Sequence, residues 1–148
     1  VGRVEALMVT DRACAAEPYF CSRVAESGLV VLTDGSALHA RVTWRETPLG
    51  DALRAAGSLV ALGAVATTLF DVMVDPRGGA PTTGLGFRSG LVVTVPAPPE
   101  ALARTRALLG DAQTLAVIGG TGVVTSDAGR WRVSGDVVVT RGDAAVSV

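Results

Sequence analysis

Short apolar segments recur along the whole chain, and clusters of glycine, proline and aspartate separate them. Segments of this length with one apolar face are typical of β-strands, and about eight of them fit into the 148 residues. Strands at this spacing favour a sandwich or a small closed barrel. Closure also leaves no exposed edge strand on a chain that is 49% hydrophobic. We therefore expect an all-β fold in one domain over residues 1–148: a closed antiparallel barrel of about eight strands with one or two short helices.

The strand pattern is found in residues 5–10, 29–33, 37–46, 59–74, 85–95, 115–118 and 131–140. The clearest alternation lies in residues 37–46 and places on one face Leu38, Ala40, Val42, Trp44 and Glu46. Residues 59–74 are apolar on both faces, which fits one long bent strand, two strands joined at a bulge near Gly63, or a buried helix. A short helix or a turn is predicted over residues 48–57, and a helix over residues 99–109, followed by Gly110.

Charge and residue usage exclude several classes of function. The chain carries 13 basic and 14 acidic residues, for a net charge of −1, and has no basic cluster. We therefore expect neither a nucleic acid nor a membrane as a partner. Every basic residue is an arginine, which removes Schiff-base lysine chemistry and lysine-dependent phosphate loops. No targeting segment is visible, so we expect a cytoplasmic location.

Metal and thiol chemistry have few candidate residues. His39 is the one histidine, and we expect it at the surface or in an interface. Cys14 and Cys21 are the two cysteines, either as free thiols or as one local disulfide. Two thiols and one distant imidazole do not make a zinc site, so we expect no metal and no cofactor.

A glycine motif follows the predicted strand 115–118: Gly119-Gly120-Thr121-Gly122. A dinucleotide-binding loop would need a helix after the glycines, so that its N-terminal amides hold the pyrophosphate. The residues that follow, Val123 and Val124, have β character instead. The sequence therefore favours a tight β-turn with a bulge, in which glycine supplies a positive φ.

A strand, the Gly119–Gly122 turn, Gly129 and a final strand over residues 131–140 resemble the C-terminal part of the allene oxide cyclase/dirigent-like β-barrel family. Upstream, residues 69–71, a turn over residues 75–79 and Gly84 resemble the strand–turn–strand of the same family, so that the resemblance covers about residues 59–139. It implies an antiparallel eight-stranded barrel whose apolar lumen holds a hydrophobic substrate. It also implies chemistry without a metal or a nicotinamide.

Strand parity gives a separate estimate of the lumen, with Trp44, Glu46, Phe87 and Trp131 on the inward faces. The expected substrate-binding residues are Trp44, Phe87, Trp131, Thr67, Phe70 and Met73. The aromatic side chains could equally fill the core. Glu46 would be desolvated there and act as a general acid or base, or else remain in solvent beside an arginine. Tyr19 is the second catalytic candidate, in a segment that is either a lid or a packed loop.

These expectations lead to a cofactor-independent cyclase of secondary metabolism, of the kind used in polyketide and antibiotic biosynthesis. It would close a ring on a hydrophobic polyketide-type substrate by a Diels–Alder or related pericyclic reaction inside the barrel. Holding the reactive conformer can contribute up to ~7–11 kcal/mol. The alternatives are a non-catalytic dirigent-like or lipocalin-like barrel that binds a hydrophobic small molecule, and an assembly domain. Because residues 59–74 are apolar on both faces, we expect a homo-oligomer, dimer or trimer.

Overall fold

The computed structural model describes residues 2–75, 80–127 and 129–146. Over these residues the fold is mixed α/β, with five α-helices, two short 3-10 helices and ten short strands. The strands form one four-stranded sheet and three two-stranded sheets, and none of the sheets in this part of the chain closes into a barrel. The expected all-β closed barrel is therefore wrong.

The first part of the chain is built from helices around one pair of parallel strands. Its elements are α1 (Arg12–Ala16), α2 (Pro18–Ala25), β1 (Val30–Leu32), α3 (Ala37–Trp44), α4 (Pro48–Ala55) and β2 (Leu59–Ala61). Val31 of β1 lies beside Val60 of β2. Parallel strands need a crossover connection, and α3 and α4 form the one between β1 and β2.

The rest of the chain is dominated by a mixed sheet. After β2 come a 3-10 helix (Gly63–Leu69), β3 (Val72–Val74), β4 (Pro81–Thr83), β5 (Val92–Thr94), α5 (Pro99–Leu109), a 3-10 turn (Gly110–Ala112), β6 (Thr114–Ile118), β7 (Val123–Asp127), β8 (Arg130–Ser134), β9 (Val137–Arg141) and β10 (Ala144–Ala145). The four-stranded sheet has the order β10-β9-β6-β5. The pair β5–β6 is parallel with α5 as its crossover, whereas β6–β9, β3–β4 and β7–β8 are antiparallel.

The strand predicted over residues 37–46 is wrong, because this segment forms helix α3. The hydroxyl of Ser36 accepts the backbone N–H of His39 at 3.2 Å and so caps the helix N-terminus. The alternation of apolar and polar residues was mistaken for a β period. Leu38 and Trp44 consequently do not share the face of a strand.

The long apolar segment 59–74 is neither one strand nor one helix. It forms β2, the 3-10 helix Gly63–Leu69 and β3, with a left-handed φ of 58° at Gly63 where the chain turns. Two other predicted strands are wrong in extent. Residues 5–10 form no strand, and within residues 85–95 the strand covers only Val92–Thr94. Residues 131–140 divide into β8 and β9 at Gly135.

Several local predictions are confirmed. The helix or turn predicted over 48–57 is the helix α4, and the helix predicted over 99–109 is α5. The strands predicted over 29–33 and 115–118 are β1 and β6. Most of the turn predicted over residues 75–79 lies outside the described residues, which end at Asp75 and resume at Ala80.

The glycine motif is a turn between two strands, as the sequence predicted, but for a different reason. Gly122 donates its N–H to the carbonyl of Gly119 at 3.0 Å, and β7 follows. None of the three glycines of the motif has a positive φ. Instead, a Cβ on Gly119 would lie 1.8 Å from a carboxylate oxygen of Asp136. The motif therefore uses glycine for close approach, and its turn-to-strand context does not fit a dinucleotide loop.

Three apolar clusters divide the interior, the smallest being Val74, Val92 and Leu115. One of the larger two lies among the helices and includes Leu32, Leu49, Leu53, Val65 and Phe87. The other lies on the main sheet and includes Phe70, Leu91, Val93, Ala116 and Val139. Leu69 packs against both of these larger clusters and joins them. Among the described residues, no helix is both long and apolar enough to cross a membrane.

Candidate functional site

A cleft of about 290 Å³ opens beside the helical cluster. Its first wall is the α3–α4 turn and the start of α4, and its second is the segment of residues 83–87 with Asp71. Its aromatic and charged lining residues are Trp44, Arg45, Glu46, Asp51, Arg54, Asp71 and Phe87. The cleft therefore combines two aromatic side chains with charges of both signs.

The α3–α4 turn is fixed by hydrogen bonds to its backbone. The hydroxyl of Thr47 donates to the carbonyl of Trp44 at 2.8 Å and accepts the N–H of Gly50 at 3.2 Å. From α1, the Arg12 guanidinium donates to the carbonyls of Arg45 at 2.8 Å and Glu46 at 3.3 Å. These bonds hold Glu46 at a φ of 55°, in the left-handed region that a residue with a side chain rarely adopts.

The second wall is tied to the end of the 3-10 helix and to the two residues after it. Gly84, Leu85, Gly86 and Phe87 donate their backbone N–H groups in turn to the carbonyls of Asp71, Thr68, Phe70 and Leu69, at 2.7–3.1 Å. Gly84 lies so close to this segment that an added Cβ would be 2.1 Å from the carbonyl oxygen of Phe70. The wall is therefore formed before any ligand arrives.

Arg54 reaches from α4 to this second wall. Its Nη2 donates to the carbonyl of Leu85 at 3.1 Å, and the guanidinium carbon lies 5.3 Å from the centroid of the Phe87 ring. The aromatic face and the carbonyl together fix the guanidinium. Its other N–H groups have no hydrogen-bond partner within the described residues.

The remaining charges of the cleft differ in their pairing. Glu46 forms an ion pair with Arg45, with 3.2 Å between Oε1 and Nε. Asp51 and Asp71 form no ion pair with any residue that the structure describes. Over the same residues, no group of three or more His, Cys, Asp or Glu side chains is arranged to hold a metal ion.

Trp44 contributes a polar group as well as a ring. Its indole Nε1 is buried and has no hydrogen-bond partner within the described chain. A buried donor without a partner loses its hydration without compensation, so most such groups in native proteins are satisfied. Trp44 therefore brings a hydrogen-bond donor without a partner to the lining of the cleft.

The structure brings together three of the residues selected from the sequence and separates the rest. Trp44, Glu46 and Phe87 line the cleft. Thr67, Phe70 and Met73 are buried, and the Thr67 hydroxyl donates to the carbonyl of Ala64 at 2.8 Å. Trp131 packs against Phe70, with 5.5 Å between ring centroids, on the main sheet.

Tyr19 lies on α2 and is not among the residues that line the cleft. Its hydroxyl donates to Oε1 of Glu5 at 2.7 Å, and Nε of Arg23 donates to the other carboxylate oxygen at 3.1 Å. The hydrogen bonds from Arg23 and Tyr19 lower the pKa of Glu5 to about 2. The hydrogen bond to Glu5 raises the pKa of Tyr19. Tyr19 therefore belongs to an ion-paired cluster that ties the N-terminal segment to α2.

The remaining candidates from the sequence, the two cysteines and the histidine, do not line the cleft. Cys14 and Cys21 are free thiols. His39 lies on α3, with its Nε2 at 3.4 Å from the Thr43 hydroxyl. The barrel lumen in which ring closure was expected is not found in the described chain. The cyclase reaction, the roles of Glu46 and Tyr19 in it, and the homo-oligomer stay predictions.

Sequence reasoning missed Arg54, Asp51 and Asp71. Exposed charged residues are common on any protein surface, so their type alone carried no signal. A usable signal did exist for two of them. Asp51 and Arg54 are three residues apart on the segment predicted as a helix or a turn, and helical spacing places them on one face.

A second feature lies at the end of β2, in the segment of residues 61–65 that we call the β2 elbow. The chain passes from β2 through Leu62 to Gly63, and the 3-10 helix starts at once. Asp34, after β1, accepts the N–H of Ala64 at 2.9 Å and that of Gly35 at 2.8 Å. A Cβ on Gly63 would lie 2.2 Å from the carboxylate carbon of Asp34.

Strand–turn–helix elbows with a left-handed central residue expose a nucleophile in many hydrolases, and the next backbone N–H helps to form the oxyanion hole. At the β2 elbow the central residue is glycine, and the next N–H is already bonded to Asp34. The backbone has the shape of such a site. The Asp34 carboxylate occupies the space that a nucleophilic side chain at position 63 would need, and it also accepts the Ala64 N–H that would bind an oxyanion.

Comparison with known proteins gives a fold but no family. The chain matches no protein-family model and no curated protein. It is similar to the crystal structure of a peptidase from an acI-B1 actinobacterium, with a TM-score of 0.67 and 21% sequence identity. The match covers 95% of this chain and 67% of that one. A likeness at this identity shows that the two chains share a fold.

Proposed function

We propose that this domain is a non-catalytic binding module that holds a small molecule in the cleft between the α3–α4 turn and residues 83–87. The observation that carries the proposal is the cleft itself, which Trp44 and Phe87 both line. Its volume of about 290 Å³ lies at the lower end of the ~300–1,000 Å³ typical of small-molecule sites. The occupant is therefore a small ligand with an apolar part.

The fixed walls favour binding. Backbone hydrogen bonds hold residues 84–87, and Thr47 and Arg12 hold the α3–α4 turn. A site whose walls are already ordered loses little conformational entropy when the ligand binds, which increases the affinity available from a few contacts.

The β2 elbow supports binding over hydrolysis. Its left-handed backbone between a strand and a helix resembles a nucleophile elbow, but Gly63 has no side chain to react. The Asp34 carboxylate also accepts the Ala64 N–H that would stabilise a developing oxyanion.

The two tryptophans allow a direct test, because Trp44 lines the cleft and Trp131 lies on the main sheet. We would titrate uniformly labelled protein with hydrocinnamamide, a small neutral aromatic amide, and follow the two indole N–H signals by NMR. We expect a saturable shift of the Trp44 signal and of the amides of residues 84–87. The Trp131 signal should stay in place. No saturable shift at Trp44, or an equal one at Trp131, would contradict the proposal.

A matched pair of variants on β4 locates the ligand. Thr83 lines the cleft, and its neighbour Thr82 points to the other face of the strand. Thr83→Trp should fill the cleft and weaken hydrocinnamamide binding about tenfold, while Thr82→Trp leaves it unchanged. Labelling of the wild-type protein by an active-site-directed fluorophosphonate would overturn the non-catalytic part of the proposal.

A further inference from the structure

We infer that the ligand of this cleft is a zwitterion of the amino-acid type: Arg54 binds its carboxylate, and Asp51 and Asp71 attract its ammonium group. This inference rests on the proposed binding function and specifies its ligand. It starts from the charges that face the cleft and from which of them already have partners.

Arg54 is the anchor for the carboxylate. Its guanidinium is fixed by the Leu85 carbonyl and by the ring of Phe87, and its other N–H groups have no partner among the described residues. A planar guanidinium with free donors matches the geometry of a carboxylate better than an ammonium does. Because Arg54 is already oriented, little side-chain entropy is lost when the carboxylate binds.

The second cation of the cleft is less available. Arg45 is paired with Glu46, at 3.2 Å between Nε and Oε1. These two charges largely cancel at the rim. The arginine with donors to offer is therefore Arg54, on the wall that also carries Phe87.

The acidic side chains decide between an anion and a zwitterion. Asp51 and Asp71 line the same cleft and form no ion pair in the described part of the chain. A simple anion bound at Arg54 would be repelled by these two carboxylates. A ligand that also carries an ammonium group turns that repulsion into attraction. The arrangement thus favours a free amino acid.

The aromatic residues accommodate the remaining part of such a ligand. Trp44 is half-buried and offers apolar surface to the ligand, whereas Phe87 is 8% exposed and mainly supports Arg54 from below. The volume of about 290 Å³ limits the ligand to a few more atoms than one amino acid with a large side chain. An apolar or aromatic amino acid fits these features together.

Four probes with the same phenyl group separate the charges. Phenylalanine carries both groups, hydrocinnamate only the carboxylate, phenethylamine only the ammonium, and hydrocinnamamide neither. We would measure the dissociation constant of each from the Trp44 indole signal at low ionic strength, where charge effects are largest. We expect phenylalanine to bind about tenfold more tightly than hydrocinnamamide, and more tightly than either singly charged probe.

Variants assign the two charges. Arg54→Gln should reduce the affinity for phenylalanine about tenfold and leave that for hydrocinnamamide unchanged. The double variant Asp51→Asn, Asp71→Asn should weaken phenylalanine and phenethylamine but not hydrocinnamate. Arg104→Gln on the exposed face of α5 is the matched control and should change nothing. A dispersed NMR spectrum shows that each variant is folded.

The outcomes distinguish the inference from the function on which it rests. If all four probes bind equally at Trp44, the cleft binds ligands but the zwitterion inference is wrong. If hydrocinnamate binds most tightly, the ligand is an anion and the inference is equally wrong. If no probe shifts the Trp44 signal, both the inference and the proposed function fall.

Discussion

The helical half of the molecule (residues 2–75 and 80–87) and the sheet half (residues 91–127 and 129–146) are held together in different ways. The sheet half is organised by a ladder of backbone hydrogen bonds from β5 through β6 and β9 to β10. The helical half depends on side chains that hold turns: Arg12 and Asp34 bond to the backbone of another segment, and Thr47 bonds to the backbone of its own turn. Every residue that lines the cleft lies in the helical half. The cleft has thus formed where the backbone is irregular and depends on specific side chains.

The largest expected effect tests whether the two halves unfold as one unit. Leu53 and Leu115 are buried in the helical and sheet halves respectively, at 3% and 2% exposure. Changing either to alanine should destabilise the protein by about 3 kcal/mol, through lost burial and the cavity left behind. Leu115 belongs to the smallest cluster, but its neighbour Ala116 on β6 lies in the cluster that Leu69 joins to the helical half. We therefore expect both variants to lower the midpoints of both halves equally.

The two tryptophans make this measurable in urea. Trp131→Phe leaves Trp44 as the reporter of the helical half, and Trp44→Phe leaves Trp131 as the reporter of the sheet half. Leu115→Ala would contradict the prediction if it shifted the Trp131 transition and left the Trp44 transition in place. The two halves would then unfold independently, as two folding units.

A smaller effect is expected at the β2 elbow. Gly63→Ser adds a Cβ at 2.2 Å from the Asp34 carboxylate carbon and at a φ of 58°. Overpacking and backbone strain together should destabilise the protein by about 2 kcal/mol. In the Asp34→Ala background the clash is gone, so the same change should cost about 1 kcal/mol. A double-mutant cycle in urea measures the difference, and additive costs would show that Asp34 does not occupy this space.

In the sheet half the types of element followed from the sequence, although strand lengths and the barrel topology did not; in the helical half α1, α2 and α3 were not predicted as helices. Helix α5 begins at Pro99 and ends at Gly110, which are strong local signals, and β6 is a compact β-branched segment. Helix α3 has only Ser36 as its start signal, and its alternating residues fit a strand equally well. The parallel pairing of β1 with β2 joins residues about thirty positions apart, as Val30 with Leu59. Such pairing leaves no trace in local periodicity.

The cleft was predictable only in its aromatic part. Trp44 and Phe87 stand out in a chain that is 4% aromatic, so any search for a binding site selects them. The strand parity used to place them together was wrong for Trp44, because it lies on α3. Their meeting depends on hydrogen bonds between residues 68–71 and 84–87, which only the folded chain reveals.

The pH dependence of stability should reveal the ion-paired cluster at the start of the helical half. Glu5 has a pKa lowered from 4.5 to about 2, mainly by hydrogen bonds from Arg23 and Tyr19. Between these values the unfolded chain binds a proton at Glu5 and the folded chain does not. Stability from this group is therefore present above pH 4.5 and is lost as the pH falls towards 2.

Urea midpoints measured across this window check the sign. Glu5→Gln should flatten the decline of stability at low pH, whereas Glu17→Gln, a change on the cap of α2, should leave the slope as it is. An unchanged slope in Glu5→Gln would contradict the prediction. If the decline of stability with falling pH disappeared in both variants, its cause would be the net charge of the protein rather than the pairing of Glu5.

The smallest effect is expected at Glu46, the one residue other than glycine with a left-handed φ in the described chain. Glycine relieves about 1–2 kcal/mol of strain there and loses about 0.5–1 kcal/mol through the entropy of its unfolded state. Glu46→Gly should therefore stabilise the protein by about 0.5 kcal/mol. Glu46→Ala removes the same carboxylate and keeps the strain, so its urea midpoint should not rise; an equal rise in both variants would refute the argument.

The contact between Asp34 and Gly63 also restricts the evolutionary paths open to this chain. A side chain gained at position 63 meets the carboxylate at once, so a single substitution there costs stability. Loss of Asp34 would make room for it but would leave the Ala64 N–H without its acceptor. Positions 34 and 63 are therefore expected to vary together rather than one at a time.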